Sequence, residues 1–337
     1  MHVFLGVECG KAHPSTSYSS WDEILAYFQG ITTKSELYKY IKLQHKFESA
    51  IWNEDEGIWT VKVKDLVTGD VFNDWVHIVI NGTGILNNWK WPDVPGLHDF
   101  KGDLFHSAVW QTDYDLKNKS VAVIGNGSSG IQIVAAIQPG ETYFAKLPPS
   151  TFFSDNSTEV KSLVTFIRSP TWITAGFAQS HAGPGGKNYA FSQAQKDEFR
   201  GNAGHYSEYR KGIEGELNAR FKFVIADSPE QEEARQFSKL EMQTKLKDEK
   251  ILKHLMPDNF AVGCRMLTPG NGYLEALTED NVRVVVDSIQ NVQANGILLK
   301  NGELLEVDTI ICATGFDLSF CPRFDLIGRD GIAIHEK

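Results

Sequence analysis

The sequence predicts an α/β fold, and three features of the chain carry this prediction. The first is a strand that runs into a glycine-rich turn and then a helix, at residues 119–134. The second is a set of short strands with alternating apolar residues between residues 41 and 80. The third is a buried strand at residues 307–313 that ends at a glycine corner. Strands interspersed with helical segments indicate a sheet covered by helices.

The unit at residues 119–134 has the pattern of a dinucleotide-binding fold. Residues 121–124 are four consecutive apolar residues, typical of a buried parallel strand. Gly125 allows a tight turn, Gly127 lets the backbone approach a pyrophosphate, and Gly130 permits close packing of helix on strand. The free N–H groups and the dipole at the helix start favour phosphate. The pattern predicts dinucleotide binding, with an ordinary glycine-rich turn as the alternative.

The composition limits the class of protein. The chain has 337 residues, of which 42% are hydrophobic and 23% charged, which is ordinary for a globular protein of two domains. The net charge of -10 argues against nonspecific binding to nucleic acid or anionic membranes. The four cysteines lack C-x-x-C spacing, so we expect no metal site. No apolar run has the roughly 18 residues of a membrane span, and we expect a cytoplasmic protein.

The first part of the chain predicts one helix followed by antiparallel strands. The helix is expected over residues 21–29, because apolar residues share one face and acids occupy the first turn. Period-two patterns predict strands that begin at residue 41 and continue to residue 80. The last of them, residues 77–80, has the pattern of a buried strand that leads into a glycine corner at residues 81–84.

A segment before the central unit carries a motif that is specific to one enzyme family. The spacing F-x-G-x-x-x-H-x-x-x-W is formed by Phe100, Gly102, His106 and Trp110. It resembles the fingerprint of Baeyer-Villiger monooxygenases, flavin enzymes that insert an oxygen atom beside a ketone. Gln111 departs from the Pro or Asp that is usual there. Residues 81–84 and 311–317 resemble the two glycine elements at which that family's chain crosses between its domains.

The resemblance covers most of residues 18–337 and implies a flavoprotein with two dinucleotide-binding domains. Its implied organisation is a partial FAD domain at residues 1–115, a Rossmann NADP domain at 116–305 with a helical insert at about 187–256, and a return segment at 306–337. Because an N-terminal FAD glycine fingerprint is missing and the family continues past residue 337, we expect the chain to be short at both ends.

The resemblance also implies the cofactors and the residues that hold them. The family uses FAD, NADPH and O2 and acts on small-molecule ketones. His106 and Trp110 are expected to couple the domains during movement of NADP. The implied cofactor-binding residues are Gly125, Gly127, Ser128, Ser129, Gly130, Arg168, Arg265, Thr314 and Gly315.

The residue that recognises the 2′-phosphate of NADP is expected at the end of the second strand of the unit. The best candidate strand, residues 162–168, places Arg168 38 residues after Gly130, whereas about 20 are usual. The 19 residues 140–158 account for the excess and are either a retained intron or a surface loop. An arginine can bind phosphate bidentately, which favours NADP over NAD.

The rest of the chain predicts a helical insert and one departure from the family. Helices are expected at residues 192–199 and 206–217, and a long helix is expected from a capping box at Ser228 to about Leu255. The family has two adjacent basic residues beyond this insert. Arg265 matches the first, but Met266 replaces the arginine that stabilises negative charge on the reacting ketone, and methionine cannot donate a hydrogen bond to an oxyanion.

The function implied by the resemblance is an FAD- and NADPH-dependent monooxygenase that forms an ester or lactone from a ketone. The sequence around residues 81–92 is similar to fungal members that modify polyketides and other secondary metabolites. Two alternatives stay open. One is an inactive truncated relic, or a gene product with wrongly assigned ends, that at most binds NADPH. The other is a flavin monooxygenase that oxidises nitrogen or sulfur.

Overall fold

The computed structural model describes residues 15–111, 113–138, 160–174, 176, 178–264 and 268–334. The chain divides into two units. Unit 1 comprises the described residues of Met1–Ile31 and Trp91–Thr314, and unit 2 comprises those of Thr32–Lys90 and Gly315–Lys337. The assignment of an FAD domain to residues 1–115 and 306–337, and of an NADP domain to 116–305, stays a prediction.

Seven helices and fourteen strands lie in the described part of the chain, joined by turns and short 3-10 segments. In chain order they are α1 Trp21–Lys34, β1 His45–Asn53, β2 Ile58–Asp65, β3 Val71–Val76, β4 Asp103–His106, β5 Ser120–Ile124, α2 Ser128–Ile137, β6 Ser162–Phe166, β7 Ile173–Thr174, α3 Gln193–Gly201, α4 Ala203–Ala219, α5 Pro229–Lys245, α6 Glu249–Leu255, β8 Thr268–Pro269, α7 Tyr273–Ala276, β9 Val282–Val285, β10 Ile289–Gln293, β11 Gly296–Leu299, β12 Leu304–Glu306, β13 Thr309–Cys312 and β14 Asp325–Ile327.

Unit 1 is built on a five-stranded parallel sheet in the order β4-β13-β5-β6-β9. Successive residues of β5 enter different apolar clusters: Val121 and Val123 pack with α2 and α7, and Ala122 and Ile124 pack with β10–β12. The sheet is therefore covered on both faces, which explains why β5 is apolar throughout. The predicted α/β class and the strand–turn–helix unit are confirmed.

Four helices, α3 to α6, lie between residues 193 and 255, where helices were predicted, but one predicted helix is wrong. The long helix expected from Ser228 to Leu255 is two helices, because α5 ends at Lys245 and α6 begins at Glu249. Leu246 is extended, and the Asp248 carboxylate accepts hydrogen bonds from the N–H groups of Lys250 and Ile251. An aspartate that caps two N–H groups stabilises a new helix start, and the charged pattern alone does not show the break.

In unit 2, β1, β2 and β3 form an antiparallel meander, as predicted, and β14 adds to β1 in parallel, which gives the order β14-β1-β2-β3. The first strand begins at His45 rather than at residue 41, because Gln44 has a left-handed backbone with φ 56°. The buried strand predicted at residues 77–80 is wrong: β3 ends at Val76, and Ile78 and Ile80 are 75% and 88% exposed. In the described part of unit 2 no further strand pairs with this segment.

None of the helices in the described ranges combines the length and the apolar character that a membrane span needs. The segment 140–158, for which the sequence leaves a retained intron or a surface loop open, lies outside the described residues.

Candidate functional site

The candidate site lies at the carboxyl edge of the parallel sheet of unit 1. The strand pairing aligns the last residues of its five strands in one row: His106, Cys312, Ile124, Phe166 and Val285. In α/β proteins ligands bind outside the carboxyl ends of the strands. The loops that follow this row are therefore where a ligand is expected.

The three glycines after β5 are present for different structural reasons. Gly125 has φ 118°, and a Cβ there would lie 2.4 Å from the carbonyl oxygen of Ala313. A Cβ at Gly130 would lie 1.9 Å from the carbonyl oxygen of Gly125. At Gly127, by contrast, a Cβ would meet no heavy atom within 4 Å. Packing of the protein on itself requires the first two glycines, and Gly127 leaves open space beside the backbone.

That open space faces the start of α2. Gly127 is the N-cap, its carbonyl accepts the hydrogen bond from the Ile131 N–H at 3.0 Å, and it offers no side chain to the first turn. The first N–H groups of an α-helix have no partner within the helix, and the dipole makes this end attractive to anions. The geometry can hold a phosphate group.

Hydroxyl and amide groups tie this turn to neighbouring loops. The Ser128 and Thr268 hydroxyl oxygens lie 2.5 Å apart, and the Asn126 side-chain amide donates a hydrogen bond of 2.7 Å to the Ser169 carbonyl. Sequence reasoning missed the roles of Asn126 and Thr268. Thr268 lies 140 residues from Ser128, and no local pattern connects them.

His106 is fully buried at the end of β4 and is held on both ring nitrogens. Its Nδ1 accepts from the Ala108 N–H at 3.2 Å, and its Nε2 lies 3.4 Å from Thr314 Oγ1. The Trp91 ring meets it edge-on at 5.8 Å. Burial lowers the pKa of His106, so the neutral ring is favoured. With Nδ1 accepting, Nε2 carries the proton and can donate to Thr314.

The structure thus brings several predicted site residues together. His106 contacts Thr314, and the backbone that runs into Thr314 packs against Gly125, because the Ala313 N–H donates to the Ile124 carbonyl at 2.8 Å. Trp110 lies partly buried against the apolar cluster around α2. Ser129 is half-buried in the first turn of α2. Arg168 is exposed, two residues past the end of β6.

Three predicted residues cannot be joined to this arrangement. Gly315 belongs to unit 2 and has φ 84°, a conformation that favours glycine. Arg265 and Met266 lie outside the described residues.

Cys312, at the same edge, does not supply a nucleophile. Burial raises the pKa of the Cys312 thiol to about 12, so it stays protonated at neutral pH. Within the described ranges no group of three His, Cys, Asp or Glu side chains is placed to hold a metal ion.

The amino edge of the same sheet carries a polar cluster that has a structural role. The Tyr114 hydroxyl donates to Asp103 Oδ2 at 2.5 Å and lies 2.9 Å from the Thr309 hydroxyl, while Lys119 Nζ lies 3.3 Å from the same Asp103 oxygen. The hydrogen bond from Tyr114 is the main cause that lowers the pKa of Asp103. The cluster links the beginnings of β4, β13 and β5 and thereby fixes the positions of these strands.

Comparison with known proteins agrees with this geometry. A family model described as flavin-binding monooxygenase-like matches residues 11–142. An FAD-binding monooxygenase of Aspergillus terreus is 35% identical over 343 aligned positions, which cover 98% of this chain and 57% of that protein. A Baeyer-Villiger monooxygenase of Streptomyces coelicolor is 27% identical, with 95% of this chain and 55% of that protein covered.

The fold has the same relatives. A crystal structure of cyclohexanone monooxygenase from Rhodococcus sp. Phi1 bound to NADP+ matches with a TM-score of 0.71 and 26% identity, covering 95% of this chain and 61% of that one. The chain spans about half the length of the curated relatives it matches. In sequence and in fold, the chain is similar to FAD-binding and Baeyer-Villiger monooxygenases, the resemblance that its motifs indicated.

Proposed function

We propose that this chain carries the NADPH-binding part, and a portion of the FAD-binding part, of a monooxygenase that uses NADPH and O2 to insert an oxygen atom next to a ketone. The observation that carries the proposal is the open space at Gly127, beside the helix start of α2, on the sheet edge where buried His106 contacts Thr314. The helix start that we propose as the phosphate site and the fingerprint histidine lie at the same edge of the sheet.

The described residues fit NADP. The pyrophosphate would lie on the N–H groups at the start of α2, where Gly127 presents no Cβ and no side chain caps the helix. Arg168 lies in the loop after the neighbouring strand β6, where the adenosine ribose is bound in Rossmann folds. Its guanidinium would bind the 2′-phosphate, which NAD lacks.

His106 has a positioning part in this proposal. It is neutral and buried, and it hydrogen-bonds to the Ala108 N–H and to the Thr314 hydroxyl. It therefore holds the end of β4 to the end of β13, next to the glycine turn. We expect the nicotinamide to bind at this carboxyl edge of the sheet. Fixed positions of the strand ends would keep the bound cofactor in one orientation.

The described part of unit 2 supplies less of a site for FAD than unit 1 supplies for NADP. Gly84 and Gly315 have φ 75° and 84°, and a Cβ at either would meet no heavy atom within 4 Å. The segments after these glycines meet: Trp89 and Phe316 form a β-bridge, and the Asp317 N–H donates to the Asn88 carbonyl at 2.7 Å. These open corners fit a ligand's close approach, but the described part of unit 2 contains no glycine-rich helix start for the pyrophosphate of FAD. FAD, when bound, supplies the oxygen-transfer chemistry.

The substrate class and setting are part of the same proposal. A ketone is favoured by the fingerprint with Trp110, and a role in fungal secondary metabolism is favoured by the resemblance of residues 81–92 to fungal members that modify polyketides. A place in the cytoplasm stays a prediction.

A second candidate is favoured by one observation. Met266 stands where the family has an arginine, and it cannot donate a hydrogen bond to an oxyanion. Loss of such a donor costs on the order of 10²-fold in rate. A chain that binds NADPH without oxidising ketones, or that oxidises nitrogen or sulfur, would agree with this change.

The test starts with purified 337-residue protein mixed with FAD and then desalted. We expect flavin absorbance to remain with the protein, NADPH to be oxidised, and a cyclic ketone to yield a lactone in product analysis. A sulfide or an amine oxidised in place of the ketone would support the second candidate. Colourless protein that does not bind NADPH would contradict the proposal.

A further inference from the structure

The loop that carries Arg168 is held at three points. On one side, the Ile167 N–H donates to the Val285 carbonyl at 2.9 Å. On the other, the Thr171 N–H donates to the Leu255 carbonyl at 2.8 Å. Between them, the Ser169 carbonyl accepts the hydrogen bond from the Asn126 amide at 2.7 Å. Arg168 itself is exposed, so its direction depends on this backbone.

Asn126 is part of the glycine turn that would hold the pyrophosphate. It lies between Gly125 and Gly127, and its side chain is half-buried. Because Ile124 pairs with Phe166, Asn126 and Arg168 lie at equal distances, two residues, beyond the ends of neighbouring strands. Adjacent strands are about 4.8 Å apart. The amide of Asn126 therefore bridges the turn on one strand to the loop on the next.

The two groups that this bridge connects have different targets on one cofactor. The turn would bind the pyrophosphate, which NAD and NADP share, and Arg168 would bind the 2′-phosphate, which only NADP has. The spacing between these phosphates is limited by the cofactor's covalent structure. Binding both at once requires the turn and the arginine loop to keep a fixed separation.

We propose that Asn126 is a positioning residue for selectivity between NADP and NAD, and this inference rests on the proposed function. Its amide fixes the Arg168 loop relative to the phosphate-binding turn, so that the guanidinium meets the 2′-phosphate while the pyrophosphate occupies the helix start. Asn126 does not contact the 2′-phosphate in this scheme; it acts through Arg168.

The test is a set of binding titrations with NADP+ and NAD+ on the full chain. We expect Asn126→Ala to raise the Kd for NADP+ about five- to tenfold and the Kd for NAD+ less than about twofold. Asn126→Ser gives a second variant, because serine is compatible with turns and its hydroxyl is too short to reach the Ser169 carbonyl. Asn295→Ala is the matched control: that amide donates to Glu306 at 2.8 Å in the turn between β10 and β11, and its loss should change neither Kd.

A double variant tests whether Asn126 acts through Arg168. In an Arg168→Ala background, Asn126→Ala should no longer change the ratio of the two Kd values, because the group that it positions is gone. If Asn126→Ala raised the Kd values for NADP+ and NAD+ by the same factor, the inference would be overturned, but the proposed NADP site would not be contradicted. Wild-type protein that binds both cofactors equally, or neither, would instead contradict the proposed function, and this inference with it.

Discussion

The two units of the chain bury their apolar strand residues to very different degrees. In unit 1, residues 121–124 of β5 are at most 7% exposed, because helices cover one face of the sheet and β10–β12 cover the other. In unit 2, Val71 and Trp75 of β3 are 48% and 57% exposed, and Ile51 of β1 is 45% exposed. Apolar strand residues are thus buried in unit 1 and largely exposed to solvent at these positions of unit 2.

The units also differ in what fixes their strands. Unit 2 relies on local turns: the Asn53 side chain accepts from the N–H groups of Asp55 and Glu56, and Asp65 accepts from those of Val67 and Thr68. Unit 1 relies on packing between segments distant in sequence, as where Gly125 meets Ala313. We infer that substitutions in unit 1 cost more free energy of unfolding than similar ones in unit 2.

The largest contrast is expected from removing the side chain of an isoleucine. Ile310 in β13 is fully buried, and Ile310→Ala should lower the free energy of unfolding by about 4 kcal/mol through lost burial and a cavity. Ile80→Ala, at a site 88% exposed, should change it by less than about 0.5 kcal/mol. Urea titrations of both variants measure the difference, and similar losses would refute the contrast.

A matched pair of glycines gives the next largest effect. Gly130→Ala forces a Cβ to within 1.9 Å of the Gly125 carbonyl oxygen, and we expect a loss of about 3 kcal/mol. In unit 2, a Cβ at Gly82 would meet no heavy atom within 4 Å, so Gly82→Ala serves as the control with little change. Thermal unfolding followed by circular dichroism would compare them. An unaffected Gly130→Ala protein would mean that the helix does not pack as described.

A smaller effect is expected at the amino edge of the sheet. Tyr114→Phe removes the hydroxyl that donates to Asp103 and meets Thr309, and should cost about 1 kcal/mol at neutral pH. The pKa of Asp103 is lowered in the folded state, so its contribution is present above pH 3.8 and is lost as the pH falls through the folded-state pKa. Acid titrations should show a weaker pH dependence in the variant; identical curves would remove Tyr114 as the cause.

The smallest expected effect is a pH dependence at His106. Its pKa is lowered by burial, so the unfolded chain binds a proton more readily than the folded one. The stability linked to neutral His106 is present in full above pH 6.5 and is lost as the pH falls toward the folded-state pKa. In His106→Asn this decline should be reduced. Unfolding measured at several pH values below neutrality tests it, and an unchanged decline would assign it to other groups.

Local pattern was enough to predict much of the fold. The four apolar residues of β5, the spacing of three glycines and the alternation in the meander each reflect forces within a short segment. The prediction of a buried strand at residues 77–80 was wrong, because an apolar run is buried only if a neighbouring element covers it. The sequence does not show whether such an element is present. The prediction of one continuous helix missed the break before α6, because the Asp248 cap starts a new helix within a charged pattern that is otherwise continuous.

The candidate site was predictable in part for the same reason. The glycine turn and the position of Arg168 follow from one strand–turn–helix pattern. The hydrogen bond from His106 to Thr314 joins residues 208 apart, and that from Asn126 to Ser169 joins residues 43 apart. Contacts of this kind depend on which strands are neighbours in the sheet, and only the three-dimensional arrangement shows that.

The most direct test of the central claim is a calorimetric titration of the wild-type chain and of Gly127→Ala with NADP+. Gly127 has φ -83° and open space where an alanine methyl group would lie, so the variant should fold with unchanged stability. The added methyl group would occupy the place of the pyrophosphate, and we expect the Kd to rise at least about tenfold. Equal affinity of the two proteins, or no binding by the wild-type chain, would contradict the assignment of this turn as an NADP site.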